Sequence, residues 1–249
     1  MIKDIEFILK KIFFSQRYLL EKRLKRAIAS NYEKELKLIE KFSDKSKDAI
    51  DVGVYRGVYS YKLSQYFKMV HSFEPNPLLY PYIENNLQKI IKNIKLYNLA
   101  LSNINGNTEL KLPIRSKSIF KSNIEELFKL GAASIHPNNK LENFKKVSVK
   151  MQKLDDIKIN NEIGFIKIDV EGHEENVILG SSQTIKRNKP VMLIEIEERH
   201  TQKPIINTIN LIKEYGYNAY ILRENNNDLI DITKVNNFSN ERNFFFIKK

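Results

Sequence analysis

The chain has 249 residues, 42% of them hydrophobic, no cysteine and a formal net charge of +12. That length encloses one sizeable core, and the missing cysteines exclude disulfides, thiolate metal sites and cysteine nucleophiles and suit a reducing compartment. No apolar stretch approaches the ~18 residues of a membrane span, and the charged start MIKDIEFILKKIFF does not suit a signal peptide, so a cytoplasmic protein is expected.

The lysines are scattered, so the basic balance does not by itself specify nucleic acid, and an anionic small substrate uses it equally well. Residues 2–42 read as helical, with Ile5, Ile8, Leu9, Ile12 and Phe13 on one stripe and Leu20, Leu24 and Ile28 on another. Residues 1–43 are therefore expected to be an N-terminal helical extension. Its basic run Lys22, Arg23, Lys25 and Arg26 reads as a solvated face, or as a homodimer contact, a membrane-surface helix or a cap over a site.

From residue 44 to 249 short apolar runs alternate with helical patterns. Strands are expected at Ala49-Ile50, Met69–Phe73 and Ile94–Leu99, with helices over Val58–Phe67 and from Pro77 to about Ile90, the latter shortened or bent by Pro81. Leu110–Leu112 and Val147–Met151 read as strands around an irregular middle. Strand Phe165–Val170, helix Glu174–Ile185, strand Val191–Ile196, helix Ile205–Tyr215 and strands Tyr217–Leu222 and Phe244–Ile247 complete the chain. Alternation of this kind gives a mostly parallel sheet covered on both faces.

Four strands end in acid: Asp51, Glu74, Asp169 and Glu195. In an open parallel sheet the strand C-termini share one crevice, where ligands bind. The first tip, Asp51-Val-Gly53-Val-Tyr55-Arg56-Gly57, is not G-x-G-x-x-G, and its acid suits a ligand with an ammonium group or hydroxyls better than one with phosphates. Glu74 follows about twenty residues later, where an acid meets ribose hydroxyls. The small apolar third tip around Asn98 to Leu101 suits a flat base. Together these describe an adenosine pocket with an acid near its amino-acid end.

The segments IDVGVYRGVYS, FEPNP, NLALSN, LDD, IKIDVEGHEENVILG and LIEIEE, in that order over about residues 48–198, resemble the FkbM-type S-adenosylmethionine-dependent methyltransferases. The resemblance implies an α/β class I methyltransferase fold: a Rossmann-like, doubly wound, mostly parallel sheet of seven strands, the last antiparallel. It implies O-methylation of a hydroxyl, with a sugar or sugar nucleotide for surface glycan (capsule or lipopolysaccharide) synthesis as the expected acceptor. S-adenosylmethionine would be bound by Asp51, Gly53, Gly57 and Ser60, by Glu74 and Pro75, and by Asn98, Ala100 and Leu101. The family often has Ala-Asn where this chain has Val54-Tyr55.

Hydroxyl methylation needs a general base or a metal. Asp169 and Glu171 are the expected catalytic core, sharing a face if the strand stays extended, with His173 as base or its orienter. Ser134, His136, Asn138 and Glu195 are expected to bind the acceptor. A divalent cation on Asp169, Glu171 and Glu195 is a less favoured alternative. Rival readings are a NAD-dependent sugar-nucleotide enzyme, which the glycine spacing opposes, a nucleic-acid methyltransferase, which lacks its Asn/Asp-Pro-Pro-Tyr/Phe loop here, and a non-catalytic basic scaffold.

Overall fold

The structure, a computed structural model, describes residues 15–30, 33–113, 133–136, 144–223 and 228–248. Helix α1 (Gln16–Ala29) precedes two 3-10 turns (Lys34–Lys37 and Ile39–Phe42). Then follow β1 (Asp48–Val52), α2 (Val58–Ser64), β2 (Val70–Phe73), α3 (Tyr80–Ile90), β3 (Ile94–Tyr97), β4 (Ala100–Leu101), β5 (Gly106–Pro113) and β6 (Phe144–Gln152). The second half contains β7 (Ile163–Ile168), α4 (Glu174–Leu179), α5 (Ser182–Asn188), β8 (Val191–Glu195), α6 (Glu198–Thr201), α7 (Ile205–Lys213), β9 (Tyr217–Arg223), β10 (Asp228–Asp231) and β11 (Asn243–Lys248). Among the described residues no helix is long and apolar enough to cross a membrane.

Eight strands form the main sheet in the order β10-β9-β11-β8-β7-β1-β2-β3. The β1, β2, β3, β7 and β8 pairings are parallel, and β11 runs antiparallel to both β8 and β9. The seven strands with an antiparallel last member are thus present, and β10 adds an eighth as a hairpin edge on β9. Strand order reverses between β1 and β7, so their C-terminal ends border the switch-point crevice. Phe244, Phe245 and Phe246 are all fully buried, because β11 is an interior strand with both faces covered.

The local differences from expectation have identifiable causes. The first 14 residues lie outside the described ones, and α1 ends at Ala29 rather than running to residue 42. Helix α3 starts at Tyr80, because Asn76 Oδ1 accepts the Leu78 amide and holds a turn there; Pro81 falls in the first helical turn, where it costs nothing. The strand expected over Ile94–Leu99 stops at Tyr97, and Ala100-Leu101 joins a separate sheet, β4-β6-β5. The helix expected over Glu174–Ile185 breaks at Gly180-Ser181. A Cβ on Gly180 would lie 1.9 Å from the Ser102 carbonyl oxygen, so only glycine permits this approach.

The tips of β1 and β7 meet even more closely. Gly53 has φ +89°, and a Cβ there would lie 1.8 Å from the Asp169 carbonyl oxygen. Gly53 thus admits the neighbouring strand's backbone, where a close approach to ligand was expected of it. Gly53→Ala combines this overlap with an unfavourable φ, and should lower unfolding stability by more than ~3 kcal/mol in chemical denaturation.

Candidate functional site

The C-terminal tips of β1, β2, β7 and β8 open into one cavity of about 1250 Å³. Of the expected site residues, Gly53, Glu74, Pro75, Ala100, Leu101, Asp169, Glu171, His173 and Glu195 line it. Asp51, Gly57, Ser60 and Asn98 stand behind the lining. So do Ser134 and His136, whose neighbours Ala133 and Ile135 are in it. Asn138 lies outside the described residues.

The residues behind the lining hold it in shape. Ser60 Oγ on α2 donates to Asp51 Oδ2 at 2.5 Å and also meets Ser72 Oγ at 2.9 Å, tying α2 to β1 and β2. Burial pushes the Asp51 carboxyl up to about 7. Gly57 has φ +79° and packs against Leu87, too close for a Cβ. Between the two glycines Tyr55 has φ +48°, a left-handed conformation that asparagine tolerates better than tyrosine. Its amide donates to Glu74 Oε2 at 2.9 Å, and the Asn76 amide donates to Glu74 Oε1 at 3.0 Å. Burial pushes Glu74 up to about 7 as well. Asn98 Nδ2 donates to the Glu74 carbonyl at 2.8 Å, so it braces the acid rather than turning into the cavity.

Beneath the floor lies a group that reading the sequence missed. Lys167 is fully buried in β7, its Nζ 4.9 Å above the Tyr59 ring and 3.3 Å from Asn243 Oδ1. It is the positive charge felt by Asp51, Glu195 and Glu33. Its signal in the sequence was a lone lysine inside an apolar strand flanked by acid-tipped strands. Glu195 hydrogen-bonds both Asp169 and Glu197, and burial followed by the Asp169 charge raises its pKa well above the carboxyl range. The proton stays on Glu195 because Glu197 has its own cation, with Arg199 Nη2 donating to it at 2.8 Å.

The stretch Ile168-Asp-Val-Glu-Gly-His-Glu-Glu leaves the extended form at once. The Asp169 amide donates to the Val52 carbonyl at 3.0 Å, and then Glu171 and Gly172 take φ +55° and +106°. Asp169 and Glu171 therefore diverge instead of sharing a strand face. Glu171 Oε2 meets His200 Nε2 at 2.8 Å, and Ser134 Oγ donates to the Glu171 carbonyl at 2.7 Å. Burial lowers the His200 pKa, but the Glu171 hydrogen bond and charge outweigh it and the net shift is upward. His200 was visible in the sequence only as a histidine three residues after Glu197.

His173 has both ring nitrogens engaged, with Ser102 Oγ at 2.9 Å and Asn176 Nδ2 at 3.1 Å. Burial pulls its pKa down to about 4, so it is neutral. Glu174, the first residue of α4, is buried and accepts the Gly172 amide at 2.9 Å, which fixes the loop. Among the described residues no three His, Asp or Glu side chains converge as metal ligands. Glu171 is engaged by His200, while Asp169 bonds Glu195.

A doubly wound sheet whose last strand, β11, inserts antiparallel between β8 and β9, with an acid-tipped crevice at its switch point, defines the class I S-adenosylmethionine-dependent methyltransferase fold. The model of the methyltransferase FkbM domain matches residues 51–219, and the chain belongs to that family. It is similar to the FkbM methyltransferase structure from Methylobacillus flagellatus, with 18% identity and a TM-score of 0.51 over 81% of this chain and 44% of that one. The chain thus spans less than half that protein's length. More distant similarities include a TehB-like S-adenosylmethionine-dependent methyltransferase from Corynebacterium glutamicum (11% identity, TM-score 0.44, 93% of this chain and 96% of that one). Another is a precorrin-6y C5,15-methyltransferase from Geobacter metallireducens (12%, 0.40, 82% and 79%). No curated protein matches the chain.

S-adenosylmethionine is the methyl donor that goes with this family, and the residues present fit it. Glu74 lines the cavity with each carboxyl oxygen accepting one amide and retaining acceptor capacity for ribose hydroxyls, Leu99, Ala100 and Leu101 supply an apolar wall for a base, and Asp169 lines the end that suits a cationic group.

The buried cation below the floor gives a pH-dependent prediction. At about pH 8 Lys167→Met leaves buried carboxylates without their counter-charge and should cost about 3 kcal/mol of stability. Asp51, raised by burial to about 7, is ionised at about pH 8 and protonated at about pH 5.5, whereas Glu195 holds its proton at both, so the loss should shrink at the lower pH through Asp51. Urea denaturation at the two pH values checks this.

Proposed function

We propose that this chain transfers a methyl group from S-adenosylmethionine to a hydroxyl of a small molecule, with a sugar or sugar nucleotide of surface glycan synthesis (capsule or lipopolysaccharide) as the acceptor class. The observation that carries the reading is the shared cavity, in which Glu74 and the Asp169, Glu171 and Glu195 cluster face one space. Its volume exceeds the ~300–1,000 Å³ typical of a single-ligand site, leaving room for donor and acceptor together. The sugar class comes from the family resemblance, and the hydroxyl from the presence of a proton-accepting pair.

When bound, S-adenosylmethionine supplies an electrophilic methyl carbon on a positively charged sulfur. Gly53, Pro75, Ala100 and Leu101 shape its cradle, and Glu74 accepts from its hydroxyls. Asp51, Gly57, Ser60 and Asn98 act on it indirectly, by fixing the turn and the β2 tip. Asp169, sharing hydrogen bonding with the protonated Glu195, orients the acceptor hydroxyl. Glu171 and His200 together take up the hydroxyl proton, the pair starting as a carboxylate beside a neutral imidazole. His173, with both nitrogens occupied, is a positioning residue that ties the loop to Ser102. Ser134 and His136 support the acceptor side from behind Ala133 and Ile135.

The Glu171–His200 pair must lose a proton before it can accept one, so kcat/KM should rise with pH through the elevated His200 pKa. Glu171→Gln removes the elevating charge. It should move that limb to lower pH and reduce kcat by about 100-fold, with S-adenosylmethionine affinity unchanged by calorimetry. An unmoved limb with unchanged kcat would remove the pair from the mechanism. Labelled S-adenosylmethionine incubated with a panel of sugar nucleotides, read by product mass, tests the acceptor; label appearing only in nucleic acid would overturn the sugar reading.

A further inference from the structure

The basic run of α1 divides by residue type. Leu20, Arg23, Leu24, Arg26 and Ala27 line the cavity. Lys22 and Lys25 do not: Lys22 Nζ lies 6.0 Å over the Tyr18 ring, and Lys25 Nζ pairs with Glu21 at 2.7 Å. Residues 20, 23, 24 and 27 follow the i, i+3, i+4, i+7 spacing of one helical face, so the helix phase carries Arg23 to the cavity, while Arg26, in the last turn of α1, reaches it from outside that face. The phase is fixed: Leu20 and Leu24 are buried against Leu79, Ile83 and Leu87 of the α3 region.

A third arginine joins them from the glycine turn. Arg56 lines the same cavity, its guanidinium 4.8 Å from the centre of the Tyr55 ring. Arginine presents a planar fork that matches phosphate oxygens two at a time, whereas lysine is a point charge. Acids stand at the strand tips, where a cationic donor fits, and arginines stand on α1 and the glycine turn, with Glu33, Lys34, Glu35, Glu241 and Arg242 completing the charged lining.

We propose that Arg23, Arg26 and Arg56 bind a phosphate or diphosphate group of the acceptor, making α1 the roof of an anionic-acceptor subsite. This rests on the methyltransferase reading of the cavity and narrows its substrate class to phosphorylated small molecules. A nucleoside diphosphate sugar and a simple sugar phosphate both carry such a group, and the chemistry recognised is the same.

The test is calorimetry on the full chain loaded with S-adenosylhomocysteine, titrated separately with inorganic pyrophosphate, uridine diphosphate and glucose 1-phosphate. Saturable binding is expected for at least one of them, weakening with added salt. A preference for uridine diphosphate marks a nucleotide-linked acceptor, and a preference for glucose 1-phosphate a simple sugar phosphate. Arg23→Gln/Arg26→Gln should weaken that binding at least about tenfold and leave S-adenosylhomocysteine affinity and melting temperature unchanged. Lys22→Gln/Lys25→Gln, which removes the same charge from the outer face, should bind as the unmodified chain does. Equal weakening by both double variants would mean unspecific attraction to polyanions, and no phosphate binding at all would mean no subsite; either overturns the proposal. Failure of the unmodified chain to bind S-adenosylhomocysteine would instead remove the methyltransferase reading beneath it.

Discussion

The close approach of the β1 and β7 tips organises the rest of the molecule. The Asp169 carbonyl occupies the space a side chain at residue 53 would need, and the Asp169 amide bonds the Val52 carbonyl. Two loops that are more than a hundred residues apart in sequence are thereby locked together at the switch point. The glycine turn must then rise over the sheet in left-handed steps through Gly53, Tyr55 and Gly57. The other chain must leave β7 by its own left-handed step at Glu171. The cavity is the space between these two departures. Non-glycine residues held at positive φ store strain, and of the four such residues among the described ones Tyr55 and Glu171 lie at the cavity lip, where surrounding hydrogen bonds over-determine them. Glu74 fixes Tyr55 from the β2 tip, and Ser134 and His200 fix Glu171.

Electrostatics follows from the same packing. Converging strand tips bring Asp51, Asp169, Glu195 and Glu197 into a region too dry for all of them to ionise. The chain resolves this in two ways. Lys167 supplies one buried positive charge, and Glu195 keeps its proton. Asp51, Glu74 and Glu174 are each pushed up to about 7 by burial. A carboxyl with a raised folded-state pKa is less favourable to folding as pH rises from its ordinary value through the raised one. Ionising these buried tips near neutrality therefore costs stability, and the cost comes chiefly from desolvation.

The sheet was readable from sequence because buried parallel strands are short apolar runs and each acid tip follows one directly. The acids Asp51, Glu74, Asp169 and Glu195 all sit where strand alternation put them. What the sequence did not disclose was orientation. Asp51 and Asn98 belong to the right tips but turn to Ser60 and the Glu74 carbonyl. A two-residue spacing placed Asp169 and Glu171 on one face only for extended backbone, and the positive φ at Glu171 removes that condition. Lys167 was hidden inside a run read as apolar. The Glu171–His200 pair joins segments about thirty residues apart, which no local pattern encodes. β10 was missed for a similar reason, since an edge strand with exposed and half-buried residues has no strong hydrophobic alternation.

Helix α1 has a position that its own sequence explains only in part. Its apolar stripe is narrow, with Leu20 and Leu24 fully buried, and a free-standing helix of this length would be marginal in water. Docking against the α3 region stabilises it through those two leucines, and this fixes its rotation about its own axis. Once rotation is fixed, residues one position apart are separated by about 100°. Arg23 therefore reaches the cavity while Lys22 and Lys25 do not, and Arg26 joins it from the last turn of the helix. The helix thus contributes Leu20, Arg23, Leu24, Arg26 and Ala27 to the cavity wall as well as packing against the α3 region.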